Sequence, residues 1–267
     1  ILFFTLLLFV PETPRFLVMA NQEGDAMNVL QRSNGTDKAK EILENIKASL
    51  KQKKAPWLSF GGMVIVIGIM LSVFQQFVGI NVVLYYASDI FRNMGMETES
   101  SLVRVILVGI INLLFTVVAI FTVDNFGRKP LMIIGALGMA VSMFALGFSF
   151  FYDSLGLAAL ISVLTYTAAF AMSWGPVTWV MLSEIFPNSI KGAMSIAVAA
   201  QWIANWIVSL TFPMLNDSTV LTEKFNHGFA YWIYGVMGIL AALFMWKLVP
   251  ETKGRTLEDM EELWKKK

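Results

Sequence analysis

Residues 75–86 read QQFVGINVVLYY and lie inside an uncharged run that extends from residue 57 to residue 88. A straight helix of that length would measure roughly 48 Å at about 1.5 Å per residue, whereas the hydrocarbon core of a bilayer is about 30 Å thick. We therefore expect the helix to tilt, overshoot or break, and Gly79 is where a break costs least. Because polar side chains at membrane depth need a partner or a wet cavity, we interpret this stretch as the wall of a binding site for a neutral, hydroxyl-rich molecule.

A second overlong uncharged run extends from residue 154 to residue 183, and Gly175-Pro176 interrupts it. It begins the second set of three apolar segments, as the run at 57–88 begins the first. Broken helices at matching places in two halves are typical of inverted-repeat transporters, whose sites lie near the middle of the membrane. We therefore predict an all-α membrane protein with two inverted three-helix repeats and short amphipathic cytoplasmic helices.

The composition is that of an integral membrane protein, with 57% hydrophobic residues, 15% charged residues and a mean hydropathy of +0.66. The sequence contains no cysteine and one histidine, so we expect no disulfide, no metal centre and no cofactor. A net charge of +1 gives no indication of a nucleic-acid partner. Since no cluster of acids, nucleophiles or metal ligands lies at membrane depth, the sequence favours a transporter or a binding protein over an enzyme.

Four regions follow from the order of polar and apolar residues. Residues 1–10 are interpreted as the end of a truncated membrane helix, because the prolines at 11 and 14 cannot continue it. Residues 11–56 are predicted to form a cytoplasmic helical linker, 57–249 a six-helix membrane bundle, and 250–267 a cytoplasmic tail. The six predicted spans are 57–90, 102–123, 131–152, 155–182, 193–215 and 228–249.

The distribution of lysine and arginine predicts which side faces the cytoplasm. Seventeen of these residues fall in the linker, the tail and the two short loops on the same side, whereas three fall on the other side. By the positive-inside rule the richer side is cytoplasmic. An even number of spans puts the linker and the tail on one side, which agrees with the charge count.

Six carboxamide side chains lie within the predicted spans, at Gln75, Gln76, Asn81, Asn112, Gln201 and Asn205. A carboxamide both donates and accepts hydrogen bonds, as a sugar hydroxyl does, so we predict that these amides line a sugar-binding cavity together with Tyr85. The alternative is that they only link helix to helix. Trp179 and Trp202 offer flat rings that suit the apolar face of a sugar, and the alternative for each is packing or a place in the interfacial belt.

Two charged residues at predicted cytoplasmic helix ends, Arg128 and Glu184, are candidates for a latch between the inner ends of the bundle. The alternative is an orientation signal with solvated charges, because an exposed pair contributes only about 0–1 kcal/mol. The latch therefore requires that the pair be partly buried.

Several motifs, taken together, resemble the sugar porters of the major facilitator superfamily. They are Pro11-Glu12-Thr13-Pro14-Arg15, the stretch 75–81, Asp124 to Arg128, Ser173-Trp174-Gly175-Pro176, Ala199-Ala200-Gln201-Trp202 and Pro250 to Arg255. The resemblance covers the whole chain, which is similar to the C-terminal half of such a transporter. It implies transport of D-xylose or a similar aldose by alternating access across the bacterial inner membrane, with a proton as the coupling ion and an N-terminal six-helix half as the partner.

The resemblance also implies roles for individual residues. Sugar contacts would come from Gln75, Gln76, Asn81, Tyr85, Asn112, Trp179, Gln201 and Trp202, and a cytoplasmic gate from Arg128, Glu184, Arg15 and Lys191. Lys191 departs from the arginine usual in the family, and lysine lacks the bidentate fork of arginine. Two alternatives remain: a facilitator that works without protons, and a sugar sensor of the same fold that does not transport.

Overall fold

The computed structural model describes residues 5, 10–51, 56–93, 98–255 and 257–265, and its regular elements there are all helices. The chain forms two compact units, 1–55 and 56–267. Apart from Thr5 and Val10, the predicted truncated helix at 1–10 lies outside the described residues.

From residue 10 to residue 51, the first unit contains three helices, Pro14–Met19, Glu23–Asn34 and Thr36–Lys51. Their apolar faces meet in a small core whose centre includes Leu17, Leu30 and Leu43. Lys47 forms ion pairs with Glu23 at 2.7 Å and with Glu44 at 3.2 Å. Hydrogen bonds to these two carboxylates raise the pKa of Lys47 above its ordinary value.

The second unit contains six helical segments that are long and apolar enough to cross a membrane, which confirms the predicted number of spans. We number them one to six: Gly62–Tyr85, Val103–Phe126, Arg128–Phe151, Leu157–Ile185, Met194–Asn216 and Gly228–Lys247. Four further helices connect or follow them: Ala87–Asn93, a 3-10 helix at Asn188–Ala193, Thr219–Phe225, and the tail helix Leu257–Lys265. The second span, Val103–Phe126, is all but the first turn of the longer helix Thr98–Phe126.

Two of the main contacts between spans follow the inverted repeat that the sequence predicts, whereas the close packing of the fourth span on the third has a much weaker counterpart between the first and the sixth. The third span packs mainly on the sixth, the first on the fifth, and the fourth on the third and the second. If the two triplets are exchanged, span one becomes span four and span five becomes span two, so the first–fifth pair maps onto the fourth–second pair. The third–sixth pair maps onto itself, as an axis in the membrane plane requires.

The first span is broken at Gly79, between the helices Gly62–Phe77 and Ile80–Tyr85. Gly79 has φ = +94°, a conformation that side chains disfavour. A Cβ atom there would lie 2.8 Å from Cγ of Tyr234, so the sixth span also requires glycine at this point. The break frees the carbonyl of Val78, which accepts a hydrogen bond from the buried Tyr166 hydroxyl at 2.9 Å.

The fourth span is broken at Ser173, between the helices Leu157–Met172 and Trp174–Ile185. This corrects the expected interruption at Gly175-Pro176, because both residues lie in the first turn of the second helix. Proline is tolerated there, since the amide hydrogen that it lacks has no partner within the helix. The Ser173 backbone is instead outside the helical region, with φ = −130° and ψ = −89°.

Candidate functional site

A row of hydrogen-bonded amides joins the break of the first span to the fourth and fifth spans. Gln75 donates to the carbonyl of Trp174 at 3.4 Å, and Gln76 donates to Oε1 of Gln75 at 3.0 Å. Nδ2 of Asn81 lies within hydrogen-bond distance of Oε1 of Gln76 and of Oδ1 of Asn205, the latter at 2.7 Å. The helix break makes this possible, because it puts Gln76 and Asn81 on either side of Gly79 with their side chains in contact.

The fifth span continues the row with a side-chain oxygen that has no hydrogen-bond partner among the described residues. Gln201 lies one helical turn before Asn205, its side chain is buried, and its Oε1 accepts no hydrogen bond. Asn205, in contrast, accepts from Asn81 and from the Ser209 hydroxyl at 3.2 Å. A buried acceptor without a donor is costly, and a ligand hydroxyl is a donor of the right kind.

The predicted aromatic residues lie apart from this row, on exposed surface. Trp179 of the fourth span is 41% exposed, Trp202 of the fifth span is 62% exposed, and Tyr85 ends the first span in an exposed position. Asn112 lies half-buried on the second span, which packs chiefly on the fourth span. The six-helix unit thus brings Gln75, Gln76, Asn81 and Asn205 together by hydrogen bonds. Within the described residues, none of these four is hydrogen-bonded to Asn112, Trp179 or Trp202.

A second cluster, of charged side chains, lies where the third span begins and the fourth ends. Arg128 donates to Glu184 at 3.1 Å, and it also pairs with Asp124 at 2.9 Å. The side chain of Arg128 is 14% exposed and that of Glu184 is 29% exposed, so this pair is partly shielded from water. Asp124 is largely exposed.

Glu251 and Thr252 complete this cluster, and the sequence reasoning gave neither residue a role. Glu251 accepts from the backbone amides of Arg128 at 3.1 Å and Lys129 at 3.0 Å, which caps the start of the third span. Thr252 donates its hydroxyl to Glu184 at 2.5 Å. The sequence feature that could have identified Glu251 is a carboxylate shortly after the end of the last span at Lys247. Its contact with Gly127, at the start of the third span, appears only in the structure.

The Arg128–Glu184 pair lies within a single six-helix bundle. The two charges meet without a second bundle, so their contact does not depend on closure between two halves. Arg15 is exposed in the first unit. The side chain of Lys191 lies outside the described part of the chain.

We expect Arg128 and Glu184 to be energetically coupled by about 1–2 kcal/mol, because the pair is partly buried. The apparent free energy of unfolding in detergent would be measured for Arg128→Ala, Glu184→Ala and the double variant. Asp124 is the matched control, because it binds the same arginine from an exposed position and should couple by less than about 0.5 kcal/mol. Additive effects of the Arg128 and Glu184 substitutions would contradict the pairing.

The sequence matches the family described as "Sugar (and other) transporter" over residues 1–264. The D-xylose-proton symporter of Escherichia coli (strain K12) is 58% identical over 268 residues, which cover 99% of the chain and 55% of the symporter. The glucose facilitated diffusion protein of Zymomonas mobilis is 45% identical over 270 residues, 99% of the chain and 57% of that protein.

The fold also matches a solved structure, that of the proton:xylose symporter XylE bound to 6-bromo-6-deoxy-D-glucose. The match has a TM-score of 0.83 at 56% identity, and it covers 98% of the chain and 56% of that structure. The chain therefore spans about half the length of the relatives that it matches. On the family match and these identities, the chain belongs to the sugar transporter family of the major facilitator superfamily.

Proposed function

We propose that this chain is the C-terminal half of a transporter that moves D-xylose or a similar aldose across the membrane by alternating access, with proton symport. The buried, unpartnered oxygen of Gln201, one turn from the amide row, carries this proposal. A hydroxyl of a neutral sugar can donate to Oε1 of Gln201, and the other amides can bind the remaining hydroxyls of the same sugar. Similarity to the D-xylose-proton symporter supports the choice of sugar and of coupling ion.

In this proposal the sugar lies between this bundle and an N-terminal six-helix half. Trp179, Trp202 and Tyr85 are exposed in the six-helix unit, and large exposed apolar rings are expected where another surface closes over them. The side chains of Trp179, Trp202 and Tyr85 would then contact the sugar from the surface of this bundle that faces the N-terminal half. We call this chain together with that half the complete transporter.

Uptake of labelled D-xylose into vesicles containing the complete transporter tests the function. An inward proton gradient should drive accumulation above the outside concentration, and collapsing the gradient should abolish it. If D-xylose only equilibrates and does not accumulate, the second candidate, a facilitator, is favoured. The 45% identity to a glucose facilitated diffusion protein supports that candidate. Absence of sugar-dependent uptake would overturn both, and uptake by the 267-residue chain alone would contradict the requirement for a second half.

We further propose that the tail faces the cytoplasm and that the membrane is the bacterial inner membrane. The Cys-free chain permits a clean test by single cysteines. In intact cells, Lys253→Cys should resist a membrane-impermeant thiol reagent, whereas Asp217→Cys, exposed at the other end of the bundle, should react. Labelling of Lys253→Cys with protection of Asp217→Cys would reverse the topology.

A further inference from the structure

Two apolar grooves lie on the membrane-spanning bundle, away from the amide row. The first has a volume of about 450 Å³ between the second, third and fourth spans, and its lining includes Ile111, Ile134 and Ala168. The second has a volume of about 170 Å³ between the fifth and sixth spans and the end of the Gly62–Phe77 helix, and its lining includes Ile207 and Met237. Neither groove is lined by any of the amides at 75, 76, 81, 201 or 205.

The two grooves are related by the inverted repeat. Exchanging the triplets converts spans two, three and four into spans five, six and one, which are the spans that line the second groove. Each groove is therefore formed by the second and third spans of one triplet and the first span of the other. A feature that recurs under this exchange is a property of the repeated architecture rather than a packing defect at one place.

The lining residues on the third and sixth spans lie toward opposite ends of the bundle. The third and sixth spans are antiparallel, since Lys129 binds the carbonyl of Trp246 at one end and Gly147 packs against Gly228 at the other. Ile134 and Gly138 of the first groove follow the start of the third span, whereas Ile233 and Met237 of the second follow the start of the sixth. Each set lies roughly 8–15 Å from the beginning of its span at about 1.5 Å per residue, which is the depth of lipid chains in one leaflet.

We propose that each groove binds the acyl chain of a membrane lipid. The linings are apolar, and Thr211, one of the few polar residues, satisfies its hydroxyl on the carbonyl of Ile207 at 2.7 Å. Ile134 and Ile207 line the two grooves and are exposed, within helices that are long and apolar enough to cross a membrane. An apolar cavity of roughly 150 Å³ is large enough to take a benzene-sized molecule, so both volumes admit a segment of chain.

Each groove also borders a broken helix, the fourth span at the first groove and the first span at the second. Tyr234 lines the second groove, and its ring packs against Gly79 so closely that a Cβ atom there would lie 2.8 Å from Cγ. Gly135 lines the first groove, and its other surface is filled by the side chain of Ser173 at the second break. A chain in either groove therefore packs against residues that hold a break in place.

The test uses the complete transporter in nanodiscs whose phospholipid carries a photoactivatable diazirine on one acyl chain, with adducts mapped by mass spectrometry. Adducts at Ile134 and Ile207 should exceed those at matched exposed residues on the same helices, Val141 and Ile203, by roughly fivefold, the ratio given by a preference of about 1 kcal/mol. These controls lie outside both linings.

Groove-filling variants make the test specific. Ala168→Phe should abolish the excess at Ile134 but leave that at Ile207, and Ile207→Trp should reduce adducts at Met237 while the matched Ile203→Trp does not. Xylose titration and thermal melting of each variant check that the site and fold persist, which separates this inference from the proposed function. Equal adducts at groove and control residues would mean ordinary surrounding lipid only. Adducts confined to the controls would mean that protein covers the grooves, and either result overturns the proposal.

Discussion

Replacing Gln201 by methionine is expected to weaken D-xylose binding to the complete transporter by roughly 5- to 150-fold, the ratio given by about 1–3 kcal/mol. Oε1 of Gln201 is buried and accepts no hydrogen bond from any residue that the structure describes. In the complex a sugar hydroxyl would donate to it, and methionine leaves that hydroxyl without an acceptor in a closed site. Calorimetric titration of the purified variant measures the loss.

The same substitution should leave the melting temperature nearly unchanged, because no protein hydrogen bond to Oε1 is lost. Asn81→Ala should lower both affinity and melting temperature, since Asn81 contacts Gln76 and Asn205. Asn216→Ala is the control for position: its Oδ1 is likewise buried without a partner among the described residues, but it ends the fifth span away from the row. Its Nδ2 donates to Asp217, so its loss should lower the melting temperature and leave sugar affinity unchanged. If Gln201→Met binds D-xylose with wild-type affinity but melts at a lower temperature, the amide serves as a helix–helix contact and not as a sugar contact.

Gly79→Ala is expected to lower the free energy of unfolding by about 2–5 kcal/mol, which combines the cost of a side chain at positive φ with that of overpacking. The backbone φ of +94° disfavours any side chain, and the new Cβ would lie 2.8 Å from Cγ of Tyr234. Relief of this contact requires movement of the break or of the sixth span. Since Gln76 and Asn81 flank the break, sugar affinity should fall as well.

The control for this substitution is Gly109→Ala in the second span. Gly109 has ordinary helical φ and no atom within 4 Å of a Cβ position, so alanine should be neutral or stabilise by up to about 1 kcal/mol. Denaturant titration in detergent compares the two variants. Equal stability of Gly79→Ala and the parent protein would mean that the break does not need glycine.

The spans and the first break could be predicted from local sequence because the bilayer imposes a length. Uncharged runs that are too long for about 30 Å of hydrocarbon must tilt or break, and Gly79 is the obvious place. The second break was predicted two residues late, because proline was taken as the breaker. Pro176 instead fits the first turn of the new helix, and the irregular backbone falls on Ser173.

The contacts that assemble the site could not be predicted in the same way. Asn81 and Asn205 are 124 residues apart, and their hydrogen bond depends on how the first and fifth spans pack. Glu251 caps a helix that begins 123 residues earlier. The sequence identified amides suited to a sugar. Only the packing of the spans shows which of them are hydrogen-bonded to other residues and that Oε1 of Gln201 is not.

A structure of the complete transporter with D-xylose bound tests the central claim most directly. We predict a sugar hydroxyl about 2.7–3.0 Å from Oε1 of Gln201, the usual hydrogen-bond distance, with Gln75, Gln76 or Asn81 contacting the same sugar. A sugar bound elsewhere, with Oε1 of Gln201 still unpartnered or bonded to another protein group, would contradict the assignment of the amide row as the sugar site.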